Sequence, residues 1–144
     1  MKKVVLAFSG GLDTSFCVPY LKNEKGLEVH TVLVNTGGFS KEEAARIEER
    51  ALTLGAASHT TVDAVDTYYN KGLKYLIYGN VLKNNTYPLS VSSERVFQAL
   101  EVLNTVKKIG ADYVAHGSTG AGNDQVRFDI VFEIMAPEVE ILAP

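Results

Sequence analysis

Short apolar segments alternate with segments of helical periodicity along the whole chain. Five of the short segments are rich in apolar or β-branched residues and predict strands. They are Val4–Phe8, Val29–Val34, Ser58–Val62, Tyr113–Ala115 and Val139–Leu142. Nearly unbroken apolar runs such as Val4–Phe8 are typical of parallel strands that are covered on both faces.

Between these strands, the spacing of apolar residues and the capping signals predict helices. Two of the predicted helices are Thr14–Asn23 and Asp66–Tyr78. A third begins after Ser40 and ends at Gly55, and a long fourth helix is capped by Ser92 or Ser93 and ends at Gly110. Gly79–Leu89 is predicted to be a loop. Asp13 or Thr14 would cap the first helix, and Pro19 would strain or kink it. The helix after Ser40 has the spacing of a capping box, from Ser40 to Glu43.

One segment near the end of the chain fits two structures. Its apolar residues alternate with mostly polar ones, as in a strand: Val126, Phe128, Ile130, Phe132 and Ile134. The strands on either side are expected to be parallel neighbours, however, and a parallel connection needs a crossover that is usually a helix. Asn123 or Asp124 would cap such a helix. We therefore favour the helix.

The alternation of strands and helices predicts an α/β fold of three layers, built on a five-stranded parallel sheet. Ligands bind such sheets beyond the carboxyl ends of the strands. Three unusual stretches fall at that edge: Ser9–Ser15, Asn35–Phe39 and His116–Asp124. The sequence therefore predicts a binding site there.

Composition and charge narrow the class of protein. A chain of 144 residues suits one domain, and a net charge of -3 offers no basic footprint for nucleic acid or an anionic membrane. The single cysteine, Cys17, cannot form an internal disulfide, which fits a reducing compartment. No apolar run reaches the length of a secretory signal or a membrane span. We expect a cytoplasmic domain with neither nucleic acid nor membrane as a partner.

The stretch Ser9–Ser15 has the chemistry of an anion site. Two glycines, Gly10 and Gly11, let backbone N–H groups approach a ligand, and the positive end of the next helix points to the same place. Neither a Walker lysine nor the Gly-x-Gly-x-x-Gly pattern is present. Asp13 would repel a phosphate unless it caps the helix or a cation intervenes. The alternative is a tight strand-to-helix turn with ordinary caps.

The segment from His116 to Asp129 combines a flexible loop with both signs of charge. Its glycines, hydroxyls and amide precede Asp124 and Arg127. The planar guanidinium of Arg127 suits a carboxylate, and Asp124 can accept from an ammonium group, so the pair suggests an amino acid as ligand. The alternatives are a mobile surface loop and a helix arginine that pairs with Asp124 or Asp129.

The first of these motifs, "SGGLDTS", resembles the loop of the PP-loop superfamily of adenine-nucleotide-dependent enzymes, which implies a Rossmann-like, adenine-nucleotide alpha-hydrolase-like fold. Together, "AFSGGLDTS" and "HGSTGAGNDQVRF" resemble the argininosuccinate synthase family, as does "TYPLSVSSER" at Thr86–Arg95. The resemblance implies that citrulline attacks the α-phosphorus of ATP to give citrullyl-AMP and pyrophosphate. Aspartate then displaces AMP.

The resemblance also implies roles for individual residues. ATP, accompanied by Mg²⁺ that the nucleotide itself carries, would be bound by Ala7, Phe8, Ser9, Gly10, Gly11, Leu12, Asp13, Thr14, Ser15, Val34 and Gly117. Citrulline would be bound by Tyr87, Ser92, Asn123 and Arg127, and aspartate by Thr119, Asn123 and Asp124. Asp13, Asp124 and Arg127 are the candidate catalytic residues.

The chain departs from the family pattern at several positions. Ala121 replaces the usual lysine, Val91 a threonine and Glu94 an alanine, which suggests a divergent subfamily. Family chains continue into a larger domain that completes the citrulline site and forms a tetramer. We therefore expect residues 1–144 to be the nucleotide-binding domain of a longer, homotetrameric enzyme, inactive by itself. Another PP-loop enzyme, such as one that modifies tRNA, and a non-catalytic nucleotide-binding module remain the alternatives.

Overall fold

A central sheet of five parallel strands organises the molecule, whose computed structural model describes residues 1–120 and 122–144. In chain order its strands are β1 (Lys3–Ala7), β2 (Glu28–Asn35), β3 (Ser58–Asp63), β6 (Tyr113–His116) and β7 (Glu140–Leu142), while β4 (Leu82–Lys83) and β5 (Tyr87–Pro88) form a separate ribbon. The order across the sheet is β3-β2-β1-β6-β7, and every pairing in it is parallel. The predicted fold class is confirmed.

Helices cover both faces of this sheet. They are α1 (Leu12–Asn23), α2 (Lys41–Thr53), α3 (Val65–Tyr68), a π-helical turn (Tyr69–Leu73), α4 (Lys74–Tyr78), α5 (Ser90–Ile109) and α6 (Asn123–Met135). On one face, α1 and α2 bury residues such as Val18 and Ala51 against Val4 and Leu6 of β1. On the other face, α5 and α6 contribute the core residues around Val5. The result is three layers, because each apolar helix stripe must be buried against the sheet.

Several predicted helix ends are correct. The capping box of α2 is present, since the Glu43 N–H donates to Ser40 Oγ at 3.2 Å and the Ser40 N–H donates to Glu43 Oε2 at 2.9 Å. Gly110 ends α5 in the left-handed conformation, at φ 66°. α1 continues through Pro19 as a single helix.

Three predicted side-chain caps are wrong. α1 begins at Leu12 with Gly11 as its N-cap, α5 begins at Ser90, and α6 has Gly122 as its N-cap, all without a side-chain cap. Several of the proposed capping groups bind elsewhere. Ser92 Oγ, for example, accepts from Arg127, and both carboxylate oxygens of Asp124 accept from arginines.

The segment predicted to be a loop from 79 to 89 also contains structure. β4 and β5 pair as a short antiparallel ribbon, with Lys83 opposite Tyr87. The turn between them uses Asn84 and Asn85 at positive φ, 54° and 56°. Asparagine tolerates this conformation better than most residues, so "KNNTY" is a turn signal that the strand patterns did not reveal.

The ambiguous segment forms the helix α6, as favoured. The helix buries Phe128, Val131 and Phe132 against the sheet. It leaves Val126 and Ile130 exposed at 55% and 50%. Apolar residues thus occupy both sides of the helix, which produced the strand-like alternation in sequence.

The placement of α6 predicts different costs for two neighbouring truncations. Phe132→Ala should lower the free energy of unfolding by about 3–5 kcal/mol, because it opens a cavity in the core. Ile130→Ala should cost less than about 1 kcal/mol, because the side chain is half exposed. Urea denaturation of both variants checks this. Equal costs would contradict the helix, since a strand places both residues on one face.

Candidate functional site

A cleft of about 480 Å³ opens at the carboxyl ends of β1, β2 and β6. The predicted site residues that line it are Ala7, Phe8, Ser9, Gly11, Leu12, Asp13, Thr14, Val34, Gly117 and Asp124. The strand order explains its position. The chain moves from β1 to β2 on one side and to β7 beyond β6 on the other, so helices α1 and α6 leave the sheet on opposite faces and a crevice opens at its edge.

The loop after β1 gathers donors at the amino end of α1. The Gly11 N–H is directed to Ser9 Oγ at 3.4 Å, and Ser9 Oγ lies 3.3 Å from Thr14 Oγ1. Ser15 Oγ is buried and has no hydrogen-bond partner among the described residues. A buried hydroxyl without a protein partner is costly, which leaves this donor for a ligand or a bound water. With the helix dipole behind them, these groups suit an anion.

The loop after β6 comes into contact with the same helix end. A Cβ atom on Gly117 would lie 2.9 Å from Thr14 Cγ2 and 3.2 Å from its backbone nitrogen. Only glycine fits so close to another backbone. The loops after β1 and β6 therefore meet at this one contact.

His116 holds the start of the β6 loop. Its Nδ1 accepts the Ser118 N–H at 3.2 Å, which leaves Nε2 to donate to Asp129 at 2.8 Å. The ring is 1% exposed and stacks on Phe128. Its two nitrogens are thus both engaged in positioning the loop against α6.

Asp124 is shared by two arginines beside the cleft. Its Oδ2 accepts from Arg95 Nε at 3.1 Å, and its Oδ1 accepts from Arg127 Nη1 at 2.7 Å. Burial opposes ionisation, but the hydrogen bonds and charges of Arg95 and Arg127 hold the pKa of the Asp124 carboxyl below its ordinary value. Arg127 also donates from Nη2 to Ser92 Oγ at 3.0 Å. Three predicted residues from α5 and α6 are therefore brought together.

Other predicted residues make no hydrogen bond with this cluster in the described part of the chain. Tyr87 is 57% exposed on the β4–β5 ribbon, and Thr119 and Asn123 are exposed in the β6 loop and at the start of α6. Gly10 lies in the β1 loop with φ 74°. The departure at Ala121 falls outside the described residues.

Sequence reasoning missed several residues at the cleft. Thr36 Oγ1 donates to Glu94 Oε1 at 2.5 Å, which ties the loop after β2 to α5. Gln98 accepts from Arg95 at 2.9 Å and helps to hold its guanidinium. Arg95 is the last residue of the motif Thr86–Arg95, and Glu94 departs from the family pattern in that motif. Both positions could therefore have been recognised in the sequence as candidate site residues.

Among residues 1–120 and 122–144, no three His, Cys, Asp or Glu side chains lie close enough together to hold a metal ion. Within the same residues, the structure contains no helix with the length and apolarity needed to cross a bilayer.

Comparison with protein families gives a match over almost the whole chain. The family described as "Arginosuccinate synthase N-terminal HUP domain" matches residues 3–144. Curated proteins named argininosuccinate synthase are similar over 99% of this chain, with 48% identity in Xylella fastidiosa and 46% in Saccharolobus solfataricus. The chain spans 35% and 36% of the length of these two relatives.

Solved structures share the fold at low identity. An NMN synthetase from Francisella tularensis aligns with a TM-score of 0.61 and 12% identity over 82% of this chain and 46% of that chain. A predicted subunit of a tRNA methyltransferase from Methanocaldococcus jannaschii aligns with a TM-score of 0.59 and 22% identity over 100% of this chain and 68% of that chain. At such identities the likeness concerns the fold alone.

The contact between Gly117 and Thr14 predicts that a single methyl group disturbs the site. Gly117→Ala should lower the free energy of unfolding by about 1–3 kcal/mol, because the new Cβ would overlap the Thr14 methyl group at 2.9 Å and crowd the Thr14 backbone nitrogen at 3.2 Å. Gly38→Ala is the control, since a Cβ there meets nothing within 4 Å. Urea denaturation compares the two, and equal stability of both variants would contradict the contact.

The charge of Asp124 predicts a pH-dependent contribution to stability. Its folded-state pKa is depressed, so its contribution is present above the ordinary carboxyl pKa of about 3.9 and is lost as the pH falls through the folded-state value. The free-energy difference between the wild type and Asp124→Asn should therefore shrink at acid pH. It should be less than about 1 kcal/mol at pH 7, because the side chain is 40% exposed. Urea denaturation across pH tests this, and a difference that grows on acidification would contradict it.

Proposed function

Because the chain belongs to the argininosuccinate synthase family, we propose that it binds ATP in this cleft as part of an enzyme that joins citrulline to aspartate. The observation that carries the proposal is the cluster of donors at the amino end of α1, with the unpartnered Ser15 hydroxyl among them. AMP and pyrophosphate would be the other products, and arginine biosynthesis the pathway served.

The loop after β1 would receive the triphosphate. Its backbone N–H groups and hydroxyls bind negative charge without a lysine, as suits attack at the α-phosphorus rather than transfer of the γ-phosphoryl group. Val34 and Gly117, which both line the cleft, would lie along the adenosine. The ureido oxygen of citrulline would form a bond to the α-phosphorus as the bond to pyrophosphate breaks. Catalysis would come from positioning and charge stabilisation.

The ion pair beside the cleft would recognise the amino-acid substrates. Each carboxylate oxygen of Asp124 accepts one arginine hydrogen bond, and each retains a further lone pair for the ammonium group of aspartate. Arg127 uses two of its five N–H donors on Asp124 and Ser92, so others remain for the citrulline carboxylate. Tyr87, Thr119 and Asn123 would complete these sites.

We propose that Mg²⁺ enters with ATP. The described residues offer no cage of three or more ligands, whereas Asp13 supplies an exposed carboxylate within the phosphate loop. One carboxylate together with phosphate oxygens is a common way to hold this ion. When bound, Mg²⁺ would neutralise phosphate charge. Asp13 would serve to keep it beside the loop.

We further propose that the chain is the nucleotide-binding domain of a longer, cytoplasmic, homotetrameric enzyme. Its relatives are nearly three times as long, since the chain spans 35% of one of them. The buried free thiol of Cys17 fits a reducing compartment. Neither nucleic acid nor membrane is a proposed partner.

Omission of single substrates tests the reaction. The full-length protein is incubated with ATP, Mg²⁺, citrulline and aspartate, and the release of pyrophosphate is measured. We expect release to require citrulline, and argininosuccinate to require aspartate as well. Arg127→Ala should lower kcat/KM by about thirtyfold or more, because a charged contact is lost, whereas Arg46→Ala should leave it unchanged. Pyrophosphate that forms without citrulline would contradict the proposal.

A further inference from the structure

We propose that Arg50 of α2 is a positioning residue for nucleotide binding, because it holds the peptide between Gly10 and Gly11 in one orientation. The inference concerns the same cleft and rests on the proposed function for its ligand. Arg50 belongs to none of the sequence motifs and does not lie in a loop directly after a strand, so its sequence context gives no sign of such a role.

The Gly10–Gly11 peptide is flanked by glycine on both sides. Rotation of this peptide plane changes ψ of the first residue and φ of the second, and glycine restrains neither angle strongly. Gly10 already adopts a positive φ of 74°. The two glycines therefore do not by themselves select one orientation of this peptide, and the groups that bind its carbonyl and its N–H decide it.

One face of α2 supplies that contact. Arg50 Nη1 donates to the Gly10 carbonyl oxygen at 2.7 Å. Ile47, three residues earlier on the same helix face, lies so close that a Cβ on Gly10 would be 3.0 Å from its Cγ1. Helix α2 thus packs against the Gly10 backbone and binds its carbonyl at the same time. A hydrogen bond from an ionised donor is among the stronger ones in proteins.

The fixed carbonyl determines where the next N–H points. In a trans peptide the C=O and N–H bonds point in opposite directions, so a carbonyl held by α2 turns the Gly11 N–H away from that helix. The Gly11 N–H is directed to Ser9 Oγ, beside Thr14 Oγ1, in the donor cluster. If the peptide flipped, it would present a carbonyl oxygen to the phosphate instead. Arg50 would therefore act through Gly11 rather than by touching the nucleotide.

Nucleotide affinity tests this role in the 144-residue chain. We would titrate α,β-methylene-ATP with Mg²⁺ by calorimetry into the wild type and three variants. Arg50→Met, which keeps the length but removes the donor, should raise Kd about tenfold, the equivalent of one charged hydrogen bond. Arg50→Lys, which restores a charged donor, should stay within about threefold. Arg46→Met removes the same charge one turn earlier on α2 and should leave Kd unchanged.

Salt separates a positioning effect from simple attraction of the anion by charge. At about 0.5 M salt, exposed charges are strongly screened, but a peptide that is free to flip remains so. The Kd ratio between Arg50→Met and the wild type should therefore persist. A ratio that falls to one at high salt, or an equal loss in Arg46→Met, would overturn the proposal.

The nucleotide-free chain supplies a readout that does not depend on ATP. In amide NMR spectra, the Gly11 signal should be narrow in the wild type and in Arg50→Lys, and shifted or broadened in Arg50→Met. An unchanged Gly11 signal in Arg50→Met would refute the positioning role. If the signal changes as expected but the wild type does not bind the nucleotide, the positioning of Gly11 stands and the proposed function fails.

Discussion

The contact between the backbone of Gly117 and the first turn of α1 sets the geometry of the whole site. A Cβ at this position would lie 2.9 Å from Thr14 Cγ2 and 3.2 Å from the Thr14 backbone nitrogen, so the loops after β1 and β6 lie very close together. The approach is possible because β1 and β6 are paired neighbours in the sheet. The strand order changes direction between them, with β2 and β3 on one side and β7 on the other. It places the donors at the start of α1 and the charged groups at the start of α6 around one cleft. His116, bound by Ser118 and Asp129, holds the β6 loop in that contact.

Opposite charges stabilise the other side of the cleft. Asp124 joins α6 to α5 by accepting from Arg95, and Arg127 returns to α5 through Ser92. Thr36 extends this network to the loop after β2 by donating to Glu94. Polar side chains therefore connect three elements at the carboxyl edge of the sheet, above the apolar residues that α5 and α6 pack against it. Because the donors of both arginines are only partly used, the network can hold its shape and still offer N–H groups to a ligand.

Local patterns predicted most of the fold and the two loops of the site. They succeeded where neighbouring residues alone determine the structure, as in the apolar run of β1 or the capping box of α2. They failed where a side chain binds a distant partner: Ser92 and Asp124 look like helix caps in sequence but bind Arg127 in the fold. Helix α6 was ambiguous because it is apolar on both sides, and only the need for a crossover between parallel strands decided it. Arg50 was missed because its partner lies forty residues earlier, where no local spacing relates the two.

A crystal structure of the chain with α,β-methylene-ATP and Mg²⁺ would show whether the nucleotide binds in the cleft at the carboxyl edge of the sheet. We expect the α-phosphate within hydrogen-bond distance of the Gly11 N–H or the Ser15 hydroxyl, and the adenosine along Val34 and Gly117. We also expect that the Gly10 carbonyl still accepts from Arg50. A triphosphate bound elsewhere, such as the smaller cavity of about 300 Å³ between β3 and α5, would contradict the account.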